Sequence, residues 1–235
     1  MPMPRVLRPI VDFALPPRCP GCGAIVEGDH RFCASCWTAL DWLSGSGCAL
    51  CNLPMLSDGR AICGPCLAHP PAHDGVHAAV AYGPIAAQVA MQLKYGRRTG
   101  YARTMARMIA RLVPNEGLLV PVPLARWRLW SRGFNQAGLI AGALATASGL
   151  TVDDAVLTRK RTTDARSMRG RSRRARSEAV RGAFTTQRRL DGVHVLLVDD
   201  VYASGATADA CAKTLKRAGA ARVSVLCWAR VIRDD

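Results

Sequence analysis

The chain has 235 residues, with 32 Lys and Arg against 17 Asp and Glu, ten Cys and 6% aromatic residues. That length suits two unequal domains, and an apolar content of 49% excludes a wholly disordered chain. Pro, Arg or Gly interrupts every run before it reaches the roughly 18 apolar residues of a membrane helix, and segment 6–15, broken by Pro9 and Asp12, is too short for a signal peptide, so a soluble cytoplasmic protein is expected.

Charge and cysteine divide the chain at one place. Residues 1–74 carry 5 basic and 6 acidic side chains, whereas 75–235 carry 27 and 11. Eight Cys lie in the first part as four dyads, Cys19/Cys22, Cys33/Cys36, Cys48/Cys51 and Cys63/Cys66, separated by 10, 11 and 11 residues. Two thiolates three positions apart can grip one tetrahedral zinc from a tight turn, and a second dyad completes the shell. Disulfides fit poorly without an export signal, and a redox dithiol or an iron-sulfur cluster does not call for four evenly spaced dyads. Consecutive pairing is favoured over an interleaved cross-brace, with a helical turn at 37–43 and a joint at 45–47. Four-thiolate sites are closed, so the two zinc ions are structural, and with so small a core they supply most of the folding energy of 1–74. His30, His69, His73 and His77 are read as surface or linker residues, and Cys211 and Cys227 as buried core thiols.

Beyond a linker at 69–73, apolar runs of strand length at 76–82, 118–122, 193–198 and 223–228 alternate with helical periodicity at 84–94, 102–112, 135–148 and 207–218. Right-handed crossovers then give a parallel sheet covered on both faces, with its ligand crevice at the carboxyl ends of the strands, so 75–235 forms the second domain. The sharpest pattern is Val195-Leu-Leu-Val-Asp-Asp-Val-Tyr-Ala-Ser-Gly-Ala-Thr207. A buried strand delivers Asp199 and Asp200, then turns through Ala203, Ser204, Gly205, Ala206 and Thr207 into a helix. Backbone N–H groups and two hydroxyls can cradle a phosphate there, while the carboxylates, repelled by phosphate, suit sugar hydroxyls or Mg²⁺. Together they describe a ribose 5-phosphate. Segment 159–181 adds ten basic and two acidic residues, suited to a phosphorylated ligand or a nucleic-acid backbone.

That thirteen-residue stretch resembles the phosphoribosyl pyrophosphate (PRPP) signature of type I phosphoribosyltransferases, with Tyr202 where an aliphatic residue is commoner. The Cys dyads, Leu93-Lys-Tyr-Gly-Arg-Arg98, Val120-Pro-Val-Pro-Leu124, Arg132-Gly-Phe-Asn-Gln136 and Val180-Arg-Gly-Ala-Phe184 follow in an order that resembles the ComF family (ComF and GntX-type proteins) over nearly the entire chain. The resemblance implies a parallel-sheet, phosphoribosyltransferase-like (Rossmann-like) α/β domain behind a double zinc-ribbon-type domain. It implies that Asp199 and Asp200 contact the ribose hydroxyls and that 203–207 forms the 5-phosphate loop. Segment 123–133 would be the pyrophosphate loop, with Arg126, Arg128 and Arg132 on the leaving group, and 158–181 the mobile hood. Mg²⁺ would accompany PRPP, and catalysis would rest on stabilising the departing charge. The hood departs from the family at Ala165 and Ala179, where Gln and Asn are expected, which touches closure and not the cradle, so PRPP binding is the firmer expectation. The resemblance further implies an accessory factor in DNA uptake and natural transformation, with single-stranded DNA and uptake proteins as partners. The alternative is an active phosphoribosyltransferase in nucleotide salvage.

Overall fold

A computed structural model describes residues 16–43, 47–56, 61–96, 98–160, 178 and 180–232. Segment 6–15, most of the expected joint and most of the expected hood, with Ala165 and Ala179, lie outside these residues. Four strands, β1 (Gly75–Ala81), β2 (Leu118–Pro121), β5 (His194–Tyr202) and β6 (Arg222–Arg230), form one wholly parallel sheet in the order β1-β6-β5-β2. A two-stranded antiparallel ribbon, β3 (Thr158–Arg159) and β4 (Phe184–Thr185), stands apart. The helices are α1 (Ala34–Thr38), α2 (Gly64–Ala68), α3 (Pro84–Lys94), α4 (Tyr101–Ile109), α5 (Arg126–Arg132), α6 (Gln136–Ser148) and α7 (Ala206–Arg217).

Burial on both faces explains why the strands read as unbroken apolar runs. Successive strand residues point to opposite faces. In β5, Leu196 and Val198 pack with Leu93, Met105, Ile109, Ile140 and Leu144 of α3, α4 and α6. Val195 and Leu197 face the other way, onto Cys211, Ala212 and Leu215 of α7. Cys211 and Cys227 are fully buried core thiols, as expected. The strand β5 runs four residues past its expected end at 198, because pairing with β6 continues through Asp199↔Cys227 and Val201↔Ala229 to Tyr202↔Arg230. The acidic pair that the strand is expected to deliver therefore lies within it, with pairing on both sides of the pair.

The four dyads gather into two clusters, Cys19, Cys22, Cys33 and Cys36, and Cys48, Cys51, Cys63 and Cys66, each with its sulfurs within 4.8 Å of one another. Consecutive pairing holds. The sulfurs of Cys22 and Cys33, and of Cys51 and Cys63, are 3.6 Å apart, close to the roughly 3.8 Å between thiolates bound tetrahedrally at 2.3 Å from one zinc. The four-thiolate donor set thus fits zinc in both places. The halves repeat each other about 29 residues apart: Cys33 N–H donates to Cys19 Sγ and Cys63 N–H to Cys48 Sγ, both at 3.3 Å. The left-handed position of each first turn is Gly23 (φ 79°) in one half and Asn52 (φ 57°) in the other. The expected helical turn at 37–43 is displaced to α1, which Cys33 opens, and the freed residues take another partner. Leu43 N–H donates to Ala79 O at 3.1 Å, Ala81 N–H to Asp41 O at 2.7 Å, and Trp42 bridges antiparallel to Val80, so the ribbon covers the outer edge of β1.

Asn52 uses its side chain to accept from Ala78 N–H at 3.1 Å, and the buried Arg230 donates to the Cys51 carbonyl and, at 3.1 Å, to Cys51 Sγ. The second cluster is consequently part of the sheet's own core, with all four cysteines buried, whereas Cys22 of the first is exposed.

The two sites should therefore fail differently. Cys36→Ser is expected to cost one zinc and lower the sheet's unfolding temperature only modestly, since its half meets the sheet through Phe32, Leu40 and residues 41–43 and not through its cysteines. Cys66→Ser is expected to cost one zinc and lower the main transition, because its cluster shares that core. Metal content by elemental analysis together with calorimetric unfolding checks this, and equal shifts of the main transition would contradict the asymmetry.

Candidate functional site

The crevice forms where β5 and β2 end side by side, with Pro121 paired to Val198 and Val122 N–H donating to Val198 O at 2.9 Å. Asp200 is 3% exposed. A carboxylate this buried must be paired with charge or hydrogen-bonded, and Lys94 Nζ lies 2.5 Å from its Oδ2 while Gln136 Nε2 donates to its Oδ1 at 3.4 Å. Burial works against the ammonium of Lys94, but the charge and hydrogen bond of Asp200 outweigh it and hold its pKa above the ordinary value. Gln136 is oriented in turn by Arg132, which donates to its Oε1 at 2.9 Å and to the Tyr95 hydroxyl at 3.2 Å, its guanidinium 4.9 Å from the centre of the Tyr95 ring.

Asp199 has different neighbours. Its Oδ1 accepts from Asp200 N–H at 2.8 Å, and its charge acts on Arg159 and on the thiol of Cys211, on the α7 side of the sheet. Strand alternation thus turns the two carboxylates toward opposite sides. Burial, reinforced by the charge of Asp200 and opposed by Lys94, pushes the Asp199 carboxyl up to about 8.

Past Tyr202 the chain bends through Ala203 and Ser204 to Gly205, which begins α7 at φ 76° with no side-chain cap. Gly is required there, because a Cβ would collide with the Tyr202 hydroxyl. The first N–H groups of α7 are left without a side-chain acceptor, and Ser204 and Thr207 stand half-buried beside them. Tyr202 is itself tied down by a 3.1 Å hydrogen bond to Nε2 of His73. His73 is 1% exposed, so it is a buried strut and not the surface or linker residue its neighbourhood suggested. A cavity of about 290 Å³ adjoins the loop, walled by Tyr202, Ala203 and Ser204 on one side and by Cys51, Cys63 and Arg230 on the other.

The expected pyrophosphate loop is largely helix, since α5 takes up Arg126–Arg132 and ends at Gly133 in the left-handed region, φ 80°. Arg132 is brought to the acidic pair through Gln136. Arg128 stacks on Trp127 at 5.2 Å and lies near enough to Arg159 that its charge, after burial, lowers the Arg159 pKa. Arg126 is exposed. Lys94, Tyr95 and Gln136 belong to the site but were not picked out from the sequence. Their signal was there, in Leu93-Lys-Tyr-Gly-Arg-Arg98 and Arg132-Gly-Phe-Asn-Gln136, but nothing local says that a lysine ending one helix and a glutamine opening another meet the same aspartate.

Residues 10–67 match the double zinc ribbon domain family. The DNA utilization protein YhgH of Salmonella typhi is 34% identical over 194 residues, covering 79% of this chain and 84% of its own. Competence protein F of Haemophilus influenzae is 27% identical over 180 residues, covering 72% of this chain and 78% of its own. A solved glutamine PRPP amidotransferase from B. subtilis overlaps 53% of this chain and 25% of its own at 23% identity and a TM-score of 0.37, too slight to bear on ligand or function. The chain belongs to the family of YhgH, the ComF family, with competence protein F a more distant relative: a double zinc ribbon is followed by a parallel-sheet α/β domain. Among the described residues no helix is long and apolar enough to cross a membrane.

The raised pKa of Asp199 has a stability consequence whose sign follows from linkage. A carboxyl that holds its proton to about 8 when folded, against an ordinary value of 3.8, contributes stability fully present below the ordinary value and lost as the pH rises through the folded one. Asp199→Asn should therefore gain thermal stability over the native chain steadily from about pH 4 to about pH 8, then hold that gain. Unfolding temperatures of both proteins across that range test it, and a difference that does not grow with pH contradicts the assigned pKa.

Proposed function

We propose that this ComF-family chain is an accessory factor in DNA utilisation or uptake whose α/β domain binds PRPP, or a closely similar sugar phosphate, together with Mg²⁺. One observation carries the crevice reading: Lys94 and Gln136, the latter held by Arg132, come from two separate motifs and converge on Asp200 beside a helix start that has no side-chain cap. In this reading the 5-phosphate takes the N–H groups and hydroxyls of Ser204, Gly205 and Thr207. Asp200 accepts from the ribose hydroxyls, and Asp199, turned to the other side of β5, serves as acceptor or metal ligand at the strand end once it loses its proton. Arg126, Arg128 and Arg132 meet the pyrophosphate, with Mg²⁺ supplying the remaining positive charge. Lys94 already counters Asp200, so a ligand that takes hydroxyls to that carboxylate meets a prepared, charge-balanced acceptor. The DNA side of the reading comes from the relatives, named for DNA utilization and competence, and from the positive balance of 75–235.

Asp200→Asn is expected to weaken PRPP binding at least tenfold, through loss of charge-assisted hydrogen bonds. Isothermal calorimetry, with circular dichroism to show that the fold survives, measures it, and an unchanged affinity defeats the crevice reading. Because Asp199 must lose its proton to serve as acceptor or metal ligand, Mg²⁺–PRPP affinity should rise from about pH 6 to about pH 9 in the native chain and lose that rise in Asp199→Asn. Pyrophosphate release on incubation with PRPP and each nucleobase would favour an active transferase. Binding without release favours the accessory role.

A further inference from the structure

The helix α5 carries the sequence Arg126-Trp-Arg-Leu-Trp-Ser-Arg132 and buries none of its residues. Trp130 is 93% exposed, Trp127 47% and Leu129 44%. The chain has 5 Trp, and Trp130 is the most exposed among them, with Trp37, at 44%, nearly as exposed as Trp127. Trp228 is fully buried, and Trp37 and Trp42 lie against each other with ring centres 4.4 Å apart. Water-facing tryptophans cost solvation and need a partner to cover them. Positions three apart share one face of a helix, so Trp127 and Trp130 lie on the same face of α5. Arg126 is exposed next to them, and Arg128 rests its guanidinium 5.2 Å from the Trp127 ring centre. No acidic residue occurs between Glu116 and Asp153. At its far end the helix is anchored, since Arg132 is bonded to Gln136 and Tyr95 at the crevice.

We propose that α5 is a stacking platform for single-stranded nucleic acid, with bases laid on Trp127 and Trp130 and the backbone phosphates on Arg126 and Arg128. Aromatic rings interleaved with cations match a strand that has a π-face and a negative charge at every nucleotide. A duplex hides those faces, so the platform selects single strands. An unbroken run without acidic groups, in a domain of strongly positive balance, favours a polyanion over a protein surface. The inference rests on the DNA-handling reading above; it shares Arg126 and Arg128 with the pyrophosphate reading of the crevice, whereas Trp127 and Trp130 belong to the platform alone. It places a strand along the rim of the site through the shared helix.

The test is anisotropy of a labelled thymidine oligonucleotide of about 20 nucleotides across a salt series, with tryptophan emission followed in parallel. Trp127→Ala and Trp130→Ala should each weaken binding by about 5- to 150-fold without changing the salt slope, and Trp130→Phe should restore most of the loss. Arg126→Ala with Arg128→Ala should reduce the slope of log affinity against log salt by about 1.4, at about 0.7 per phosphate contact on a single strand. The native chain should show quenched emission on binding and prefer single strands to duplex. Native affinity in Trp130→Ala overturns the platform, as does equal binding of duplex. Loss of self-association by sedimentation in the tryptophan variants, with strand binding intact, overturns it in favour of a protein interface. Calorimetry with PRPP on the native chain and on Trp130→Ala separates the two readings: unchanged PRPP affinity in Trp130→Ala is expected, and failure of the native chain to bind PRPP removes the crevice assignment and leaves the platform standing.

Discussion

A carboxylate at the end of a buried strand cannot be left without positive charge, and the architecture around Asp200 follows from that requirement. Its desolvation is offset by the ammonium of Lys94 and the amide of Gln136, and those two groups sit on α3 and α6. Meeting the requirement therefore fixes where α3 ends and where α6 begins. Asn135 secures the second of these: its side chain accepts from Ala137 N–H at 3.2 Å while its amide donates to Val122 O at 3.1 Å, tying the start of α6 to the end of β2. Removing one partner of so enclosed a pair costs on the order of 3 to 5 kcal/mol, a large part of a domain's stability. The polar centre of the crevice is thus also a structural clasp.

A second constraint governs the sheet's borders, since an open parallel sheet exposes unpaired backbone at each edge. Beyond β2, residues 151–153 pair with Leu119, through Leu119 N–H to Thr151 O and Asp153 N–H to Leu119 O, both at 2.9 Å. Beyond β1, the zinc ribbon performs the covering with residues 41–43 and with Asn52. Zinc is the physical means by which a segment with so few apolar side chains becomes rigid enough to do this. The two halves of the ribbon have diverged in role. The first half reaches the core through Leu40 and Phe32 while its cysteines stay outside it, whereas the cysteines of the second lie within the core, the Cys51 sulfur receiving a hydrogen bond from Arg230 that helps offset the charge of a zinc–tetrathiolate group.

That placement brings the second cysteine cluster and the phosphate-type loop into one neighbourhood. Tyr202 leans on Gly205 and is held by His73, and its cavity is shared with the cysteines of the second cluster. A rearrangement of the ribbon would be felt at the loop, and one of the loop at the ribbon. On the opposite rim, Arg132 belongs both to the clasp and to α5, so the crevice and the exposed tryptophans stand on connected ground.

Much of this was legible in one dimension because the signals were local. Dyads three residues apart declare a tetrahedral site, apolar runs separated by helical periods declare a parallel sheet, and Asp-Asp followed by small residues declares a strand that feeds a helix start. Strand and helix ends came within a few residues, except where ladder pairing carried β5 on to Tyr202 and where Trp42 joined β1 instead of a helix. Those exceptions share a cause: each depends on a partner strand that no local window contains. The same holds for the site. Asp199 and Asp200 announced themselves as neighbours in sequence, but strand alternation turned them apart, and the groups that answer Asp200 come from positions 94 and 136. His73 looked like linker until Tyr202 covered it, and the arginines of 126–132 looked like loop until they formed a helix with two uncovered tryptophans. The sequence determined which chemistries the chain carries, because spacing and residue type are local properties. Tertiary structure alone decided which of them share a solvent-free space, because burial and charge pairing act across chain separations that no local pattern encodes.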